Sequence, residues 1–323
     1  MSIFTSGRVI AKPFRIFIDG DLQDLLTQVQ ADLYVYDTTQ PSEGWGRFIE
    51  DDGVYANPSS HAFTATAPSI TPAGRDLPAR MRVRFYYDEP RTAVRRVLPL
   101  GTPWGQYHVR EAFDVIVFDG DPQEGLTALC STRDPKTVRN KVVPSLDNLA
   151  HAFQGRTEWN NLPEFIDAEF FKWIFFKLGD NPTLDPNIFL TEIREVKSQD
   201  LVGGSARFSD GAHSERVEVA SLLAGQNASF GPAKLCLQTT VPDAYYDMEL
   251  DTMGGFSMFA GSGYEIDNDA NNGLGRIDLM EDLWLKVLPV LRQSFVNDQD
   301  WVTRGRTQLR DDALHLLRTH FSI

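Results

Sequence analysis

An apolar strand that runs into Asp-Gly-Asp occurs twice in this chain, at an offset of 100 residues. Residues 14–27 read FRIFIDGDLQDLLT and residues 114–127 read DVIVFDGDPQEGLT. Ile16/Ile116, Asp19/Asp119, Gly20/Gly120, Asp21/Asp121, Gln23/Gln123, Leu26/Leu126 and Thr27/Thr127 are identical, and Asp24/Glu124 is conservative. Asp-Gly favours a tight reversal and a second Asp keeps that reversal solvated. Each copy therefore predicts a strand ending in a sharp turn. The same residues allow a second chemistry. Asp19, Asp21, Asp119 and Asp121 are hard oxygen donors of the kind Mg²⁺ prefers, and four of them suffice for a two-metal phosphoryl-transfer centre. No P-loop accompanies them, and neither copy opens into a Gly-rich helix start.

The clearest strand lies between the two copies. Met81, Val83 and Phe85 alternate with Arg80, Arg82 and Arg84, which places the apolar set on one face and the arginines on the other. Arg91, Arg95 and Arg96 come next, so six arginines fall between residues 80 and 96. Arginines on alternate strand positions can hold phosphates or carboxylates bidentately, and Tyr86 and Tyr87 beside them could stack on a base. The plainer reading pairs them with acids on neighbouring strands.

Charge limits the partners. The chain carries a net charge of −14. Residues 1–160 hold 17 Lys/Arg against 20 Asp/Glu, a net −3, and residues 161–323 hold 14 against 25, a net −11. The second half would repel a phosphate backbone, so nucleic acid or a nucleotide could be touched only through the first. No apolar run approaches the roughly 20 residues of a membrane helix. Cys130 and Cys236 sit in apolar runs that suit buried reduced thiols, and no secretory leader is evident, so a soluble cytoplasmic protein is expected.

Around these features the pattern is mixed. Residues 38–78 form a long Pro/Gly/Ser/Thr-rich stretch punctuated by Trp45, Phe48, Tyr55 and Phe63, aromatic enough that part of it should pack. Residues 136–153 have helical spacing interrupted by Pro144, and the polar stretch 154–161 reads as a domain boundary. Asn161 looks like an N-cap for a helix through Leu178. That helix is apolar on nearly every side from Phe170 to Phe176, as a central buried helix is. Strands at 188–197, 234–241, 245–251 and 255–260 precede helices at 278–296, interrupted by Pro289, and 305–321. The expected fold is α+β, with mixed or antiparallel sheets, packed helices and two domains. These are a β-rich domain over 1–155 and an acidic one over 156–323 with a central aromatic helix and C-terminal helices.

Two further acidic constellations stand in the second half. Glu195-Val-Lys197 with upstream Asp185 resembles a metal-dependent nuclease arrangement, in which carboxylates hold Mg²⁺ and a lysine aids the attacking water. Asp134-Pro-Lys136 shows how readily such a tripeptide arises. Residues 267–278, DNDANNGLGRID, resemble an EF-hand Ca²⁺ loop in spacing, with Asp267, Asp269, Asn271 and Asp278 at ligand positions. They depart from it in having Gly273 one residue late and no helix before the loop. The six histidines form no HxxxH or HExxH, and Ser262 lies in a Gly-flanked turn rather than a nucleophile elbow. The expected function is therefore a non-catalytic interaction or adaptor subunit with a protein partner and a basic arginine face. A divalent-metal-dependent phosphodiesterase or nuclease is the alternative, with Mg²⁺ or Ca²⁺ as its ion.

Overall fold

The computed structural model describes residues 8–37, 39–48, 64–74, 76–120, 124–160, 162, 166–199, 205–209, 216–225, 229–265 and 273–322. The fold is α+β, and its ladders are antiparallel. The chain divides into two compact units, Met1–Leu162 and Pro163–Ile323.

In the first unit β1 (Arg8–Phe17) leads through the first Asp-Gly-Asp into α1 (Leu22–Ala31). Then come β2 (Glu43–Arg47), β3 (Ile70–Thr71), β4 (Arg80–Pro90), the single turn α2 (Thr92–Arg95), β5 (His108–Phe118) and β6 (Leu126–Cys130). A short α3 (Pro135–Thr137), α4 (Val143–His151) and β7 (Arg156–Glu158) complete it. The strand order is β7-β1-β6-β5-β4, with β2 and β3 side by side on the outer edge of β4. The polar stretch expected as a boundary contributes β7, paired with β1 from Arg15↔Glu158 to Phe17↔Arg156.

The apolar half of the β4 alternation does what the spacing predicts. Met81, Val83 and Phe85 are buried in one core with Phe113, Val115 and Val117 of β5 and Leu25, Leu26 and Val29 of α1. Leu146 and Leu149 of α4 close that core. Pro144 does not break its helix. Residues Val138–Val142 take a π turn immediately before α4, and widening the helix there relieves the clash between a proline ring and the carbonyl four residues back. The same device precedes Pro289.

The second unit begins with α5 (Ala168–Asp180), followed by β8 (Thr183–Asp185), β9 (Ile188–Gln199), β10 (Ser205–Phe208), α6 (Val217–Ala224), β11 (Ser229–Thr240), β12 (Asp243–Leu250), β13 (Phe256–Phe259) and β14 (Gly263–Tyr264). The helices α7 (Gly273–Asp282), α8 (Leu288–Asn297) and α9 (Arg306–Phe321) end it. The sheet order is β10-β9-β11-β12-β13, with β8 on β9 and β14 on β12. Helix α5 starts later than Asn161. Its cap is Asp167, whose Oδ1 accepts from the Phe170 amide at 2.9 Å. Phe170, Phe171, Trp173, Ile174, Phe175 and Phe176 are all buried, so the helix is enclosed on nearly every side. Among the described residues no helix is long and apolar enough to cross a membrane.

Candidate functional site

The six arginines separate into two groups. On β4 the register sets Arg84 against Asp114 of β5. The pair is bidentate, Nε to Oδ1 at 2.5 Å and Nη2 to Oδ2 at 2.8 Å, and both side chains are buried. Burial works against the Arg84 charge, but Asp114 more than restores it and holds the guanidinium above its ordinary value. The Phe48 ring lies 5.7 Å from the guanidinium carbon. Arg80 is also buried, and Arg82 half-buried. The β4 arginines are thus structural on at least one member, with an internal acid, because chain from outside the alternation covers their face. Tyr34 and Ala65 pack on Tyr86 there, and residues 33–35 are bridged to Trp45 and Thr64.

The second group, Arg91, Arg95 and Arg96, is exposed on the connection between β4 and β5. Residues 91–107 hold three arginines and no acid. Val97 is 81% exposed and Leu100 fully so. The base of the connection is anchored. The Arg91 amide donates to the Tyr107 carbonyl at 2.6 Å, and Arg95 lies over the Tyr107 ring at 5.8 Å. Trp104 stacks on His108 with centroids 5.9 Å apart and planes at 11°.

Beneath that base lies a polar cluster that the sequence pattern does not announce. Asp88 faces Arg110 across the β4–β5 ladder. The Tyr34 hydroxyl donates to Asp88 Oδ1 at 3.0 Å and accepts from Arg110 Nε at 2.9 Å. Burial pushes the Tyr34 phenol up to about 12, against the pull of Arg110 and with Asp88 adding to the rise. The guanidinium of Arg110 sits 4.9 Å from the Tyr34 ring and 5.4 Å from Tyr36. His108 Nδ1 lies 3.2 Å from the Trp104 carbonyl, to which it donates, while His108 Nε2 is buried with no partner among the described residues. Asp88 and Arg110 meet only through the β4–β5 register, which the fold sets and no local spacing encodes.

The two Asp-Gly-Asp copies adopt different structures. Asp21 caps α1: its Oδ1 accepts from the amides of Gln23 at 2.8 Å and Asp24 at 2.9 Å, and Asp24 Oδ2 accepts from the Asp21 amide at 3.1 Å. That reciprocal capping box uses Asp21 and Asp24 and leaves Asp19 outside it. The second copy lies in the β5–β6 hairpin, where Gly125 turns at φ +75°. Asp19 and Asp119 are exposed at the ends of β1 and β5, strands that flank β6 in parallel. Asp121 lies outside the described residues, as do Asp267, Asp269 and Asn271. Asp278 is half-buried on α7. Among the described residues no group of three or more His, Cys, Asp or Glu side chains is placed to hold a metal ion.

Asp185 and Glu195 are not brought together. Asp185 pairs with Ile188 at the start of β9, and seven residues of strand, about 23 Å, separate that point from Glu195. Asp185 instead accepts from the Asn187 amide at 3.0 Å. Glu195 is buried, and its Oε2 accepts from Arg207 Nη2 and Lys234 Nζ, both at 2.8 Å. Burial alone would raise its carboxyl. The hydrogen bonds from Arg207 and Lys234 outweigh that and hold it below the ordinary value. A carboxyl depressed in the folded state stabilises the fold above its unfolded-state pKa of about 4.3, and the contribution disappears as pH falls through the folded value. Glu195→Gln is expected to cost about 1–2 kcal/mol at pH 7. The gap to wild type should close below the folded pKa, which urea melts at a series of pH values will read. A gap independent of pH would assign the loss to packing.

Both cysteines are buried free thiols, and burial raises each above its ordinary value, so neither has an activated sulfur. No protein-family model matches the chain, and a search of curated proteins finds no match.

Proposed function

We propose that the protein is a non-catalytic binding component, and that the β4–β5 connection takes an acidic segment of a protein partner. One observation carries this reading. In a chain of net charge −14, residues 91–107 hold three exposed arginines, no acid, and two aliphatic side chains left almost wholly in solvent. Arginine beside exposed apolar surface is the composition of interface centres, not of ordinary solvated loops. The anchored base fits a segment held ready for contact, which lowers the ordering cost of binding. An acidic partner with apolar side chains would satisfy both halves of the surface.

A fluorescein-labelled peptide rich in Glu and Leu provides the probe. Its anisotropy should report saturable binding at low salt that weakens as ionic strength rises. Each exposed ion pair is worth up to about 1 kcal/mol, so reversing three charges in Arg91→Glu/Arg95→Glu/Arg96→Glu should weaken binding about 100-fold. The melting temperature should stay within about 2 °C of wild type, since surface substitutions rarely move stability by more than about 0.5 kcal/mol. Equal binding by wild type and the triple variant removes the connection as the contact surface. Tighter binding of a random DNA duplex than of the peptide, at equal salt, assigns the arginines to nucleic acid instead.

A further inference from the structure

The exposed arginines of the β4–β5 connection stand on a row of rings that reaches into the buried cluster below them. Residues 99–107 read PLGTPWGQY. Gly101 turns the chain at φ +88°, a conformation that favours glycine, and Pro103 leads into a single 3₁₀ turn, Trp104–Gln106. That turn carries the Trp104 ring over the start of β5. The indole meets Tyr107 edge-on at 5.3 Å between centroids and lies nearly parallel to His108 at 5.9 Å. His108 in turn meets Tyr36 at 5.5 Å, and the Tyr36 ring lies 5.4 Å from the Arg110 guanidinium, which the Tyr34 hydroxyl fixes. At the outer end Arg95 lies 5.8 Å from the Tyr107 ring. The result is a row of four rings with a guanidinium at each end, and every contact in it favours a defined geometry.

Trp104 and Tyr107 are only partly buried, whereas His108 and Arg110 beneath them are buried. The row therefore ties an outer segment to a fixed base. Trp104 Nε1 and His108 Nε2 are both buried with no hydrogen-bond partner among the described residues. Ring contact, not a side-chain hydrogen bond, therefore holds the indole. The polar tie at this point runs to the backbone, from His108 Nδ1 to the Trp104 carbonyl at 3.2 Å. We infer that Trp104 is the positioning residue of the connection: its ring latches residues 91–107 onto β5 and so holds Arg91, Arg95 and Arg96 in the orientation that meets a partner. The inference rests on the reading of that connection as a contact surface. A segment held in place before contact loses less freedom on binding. Unlatched, the connection keeps its three charges but spreads them over many orientations.

Trypsin tests the latch on the full chain with no partner present. It cuts after arginine and needs the chain locally free, so its rate at Arg95 and Arg96 reads how often the connection opens. Trp104→Ala should raise the rate at those two bonds about 10-fold, the upper worth of one ring pair. Cleavage elsewhere and the melting temperature should stay as in wild type. Trp104→Phe keeps a ring and discards an N–H that has no partner, so it should be cut about as slowly as wild type. The Glu- and Leu-rich peptide should bind Trp104→Ala several-fold more weakly than wild type, and Trp104→Phe like wild type. Equal cutting of Trp104→Ala and wild type overturns the latch. Faster cutting at every site with a lowered melting temperature overturns it too, since Trp104 would then be a core residue. So does Trp104→Phe cut as fast as Trp104→Ala, because the ring would not be what holds. Unchanged peptide affinity in a fast-cut Trp104→Ala removes the positioning role. If the peptide does not bind wild type, the contact-surface reading fails and the positioning role falls with it, while cleavage still decides whether the latch exists.

Discussion

Asp114→Ala is expected to destabilise the protein by about 3–5 kcal/mol, because it leaves the Arg84 guanidinium buried with its counter-charge removed. The carboxylate is fully buried and receives both arms of the guanidinium fork. Its backbone is committed as well: the Asp114 amide donates to Ser131 Oγ at 2.8 Å, and the Ser131 amide donates to the Asp114 carbonyl at 3.0 Å. Neither partner can move to find water. A loss of this size is a large part of the roughly 5–15 kcal/mol that holds a domain together. Asp114→Asn keeps the shape and one acceptor and should cost less than the alanine. The double change Arg84→Met/Asp114→Leu removes both charges and should return most of the stability. Urea unfolding followed by tryptophan fluorescence reads the series, with buried Trp45 reporting on the same sheet. A loss under about 1 kcal/mol for Asp114→Ala would place the pair among exposed bridges. A double variant no better than the alanine would mean that packing, not charge, holds the site.

The same pair shows which features a sequence gives up readily and which it withholds. Period-two alternation gives the two faces of β4 at once, and the apolar face packs where the pattern puts it. The pattern does not say that the arginine face is covered. That depends on Tyr34, Ala65 and Phe48 crossing over it, and no local spacing encodes a crossing. Asp114 is found as a partner only through the β4–β5 register, and a connection of seventeen residues leaves that register open. The repeated Asp-Gly-Asp makes a related point. One string caps a helix because Leu22, Leu25, Leu26 and Val29 come after it at helical spacing. Its echo turns a hairpin because Gly125 stands where Leu25 stands and takes a left-handed conformation. The residues that come after the repeat, not the repeat itself, decide whether a helix or a strand comes next. Helix α5 was legible from composition alone, but its start was not. Asn161 and Asp167 are both competent caps, and the choice is made by where the apolar residues find their core.

Trp173→Ala should be nearly as damaging, at about 3–5 kcal/mol, and for two separable reasons. The indole is fully buried on α5, against Phe170 at 5.5 Å and Phe295 at 5.6 Å between centroids, so its loss leaves a cavity in an aromatic cluster. It also donates from Nε1 to Asp298 Oδ2 at 2.8 Å. Asp298 lies just past α8 and gathers three groups: Trp173 and Lys177 of α5, the latter at 3.5 Å, and the Trp301 amide at 2.9 Å. Burial would raise its carboxyl, but Trp173, the Trp301 amide and Lys177 together hold it below the ordinary value. Removing the indole withdraws one of those donors and leaves a half-buried charge less well satisfied. Trp173→Phe separates the terms. It keeps most of the ring volume and should cost about 1.5–3 kcal/mol, the worth of a hydrogen bond to a charged group. Asp298 stabilises the fold above its unfolded-state pKa of about 3.9, and that contribution is lost as pH falls through its folded value. The Trp173→Phe penalty should therefore shrink at acid pH, while the cavity part of Trp173→Ala persists. Denaturant melts of both variants at neutral and acid pH distinguish the two. A Trp173→Phe penalty unchanged by pH would show that Asp298 draws its stabilisation from Lys177 and the Trp301 amide without the indole.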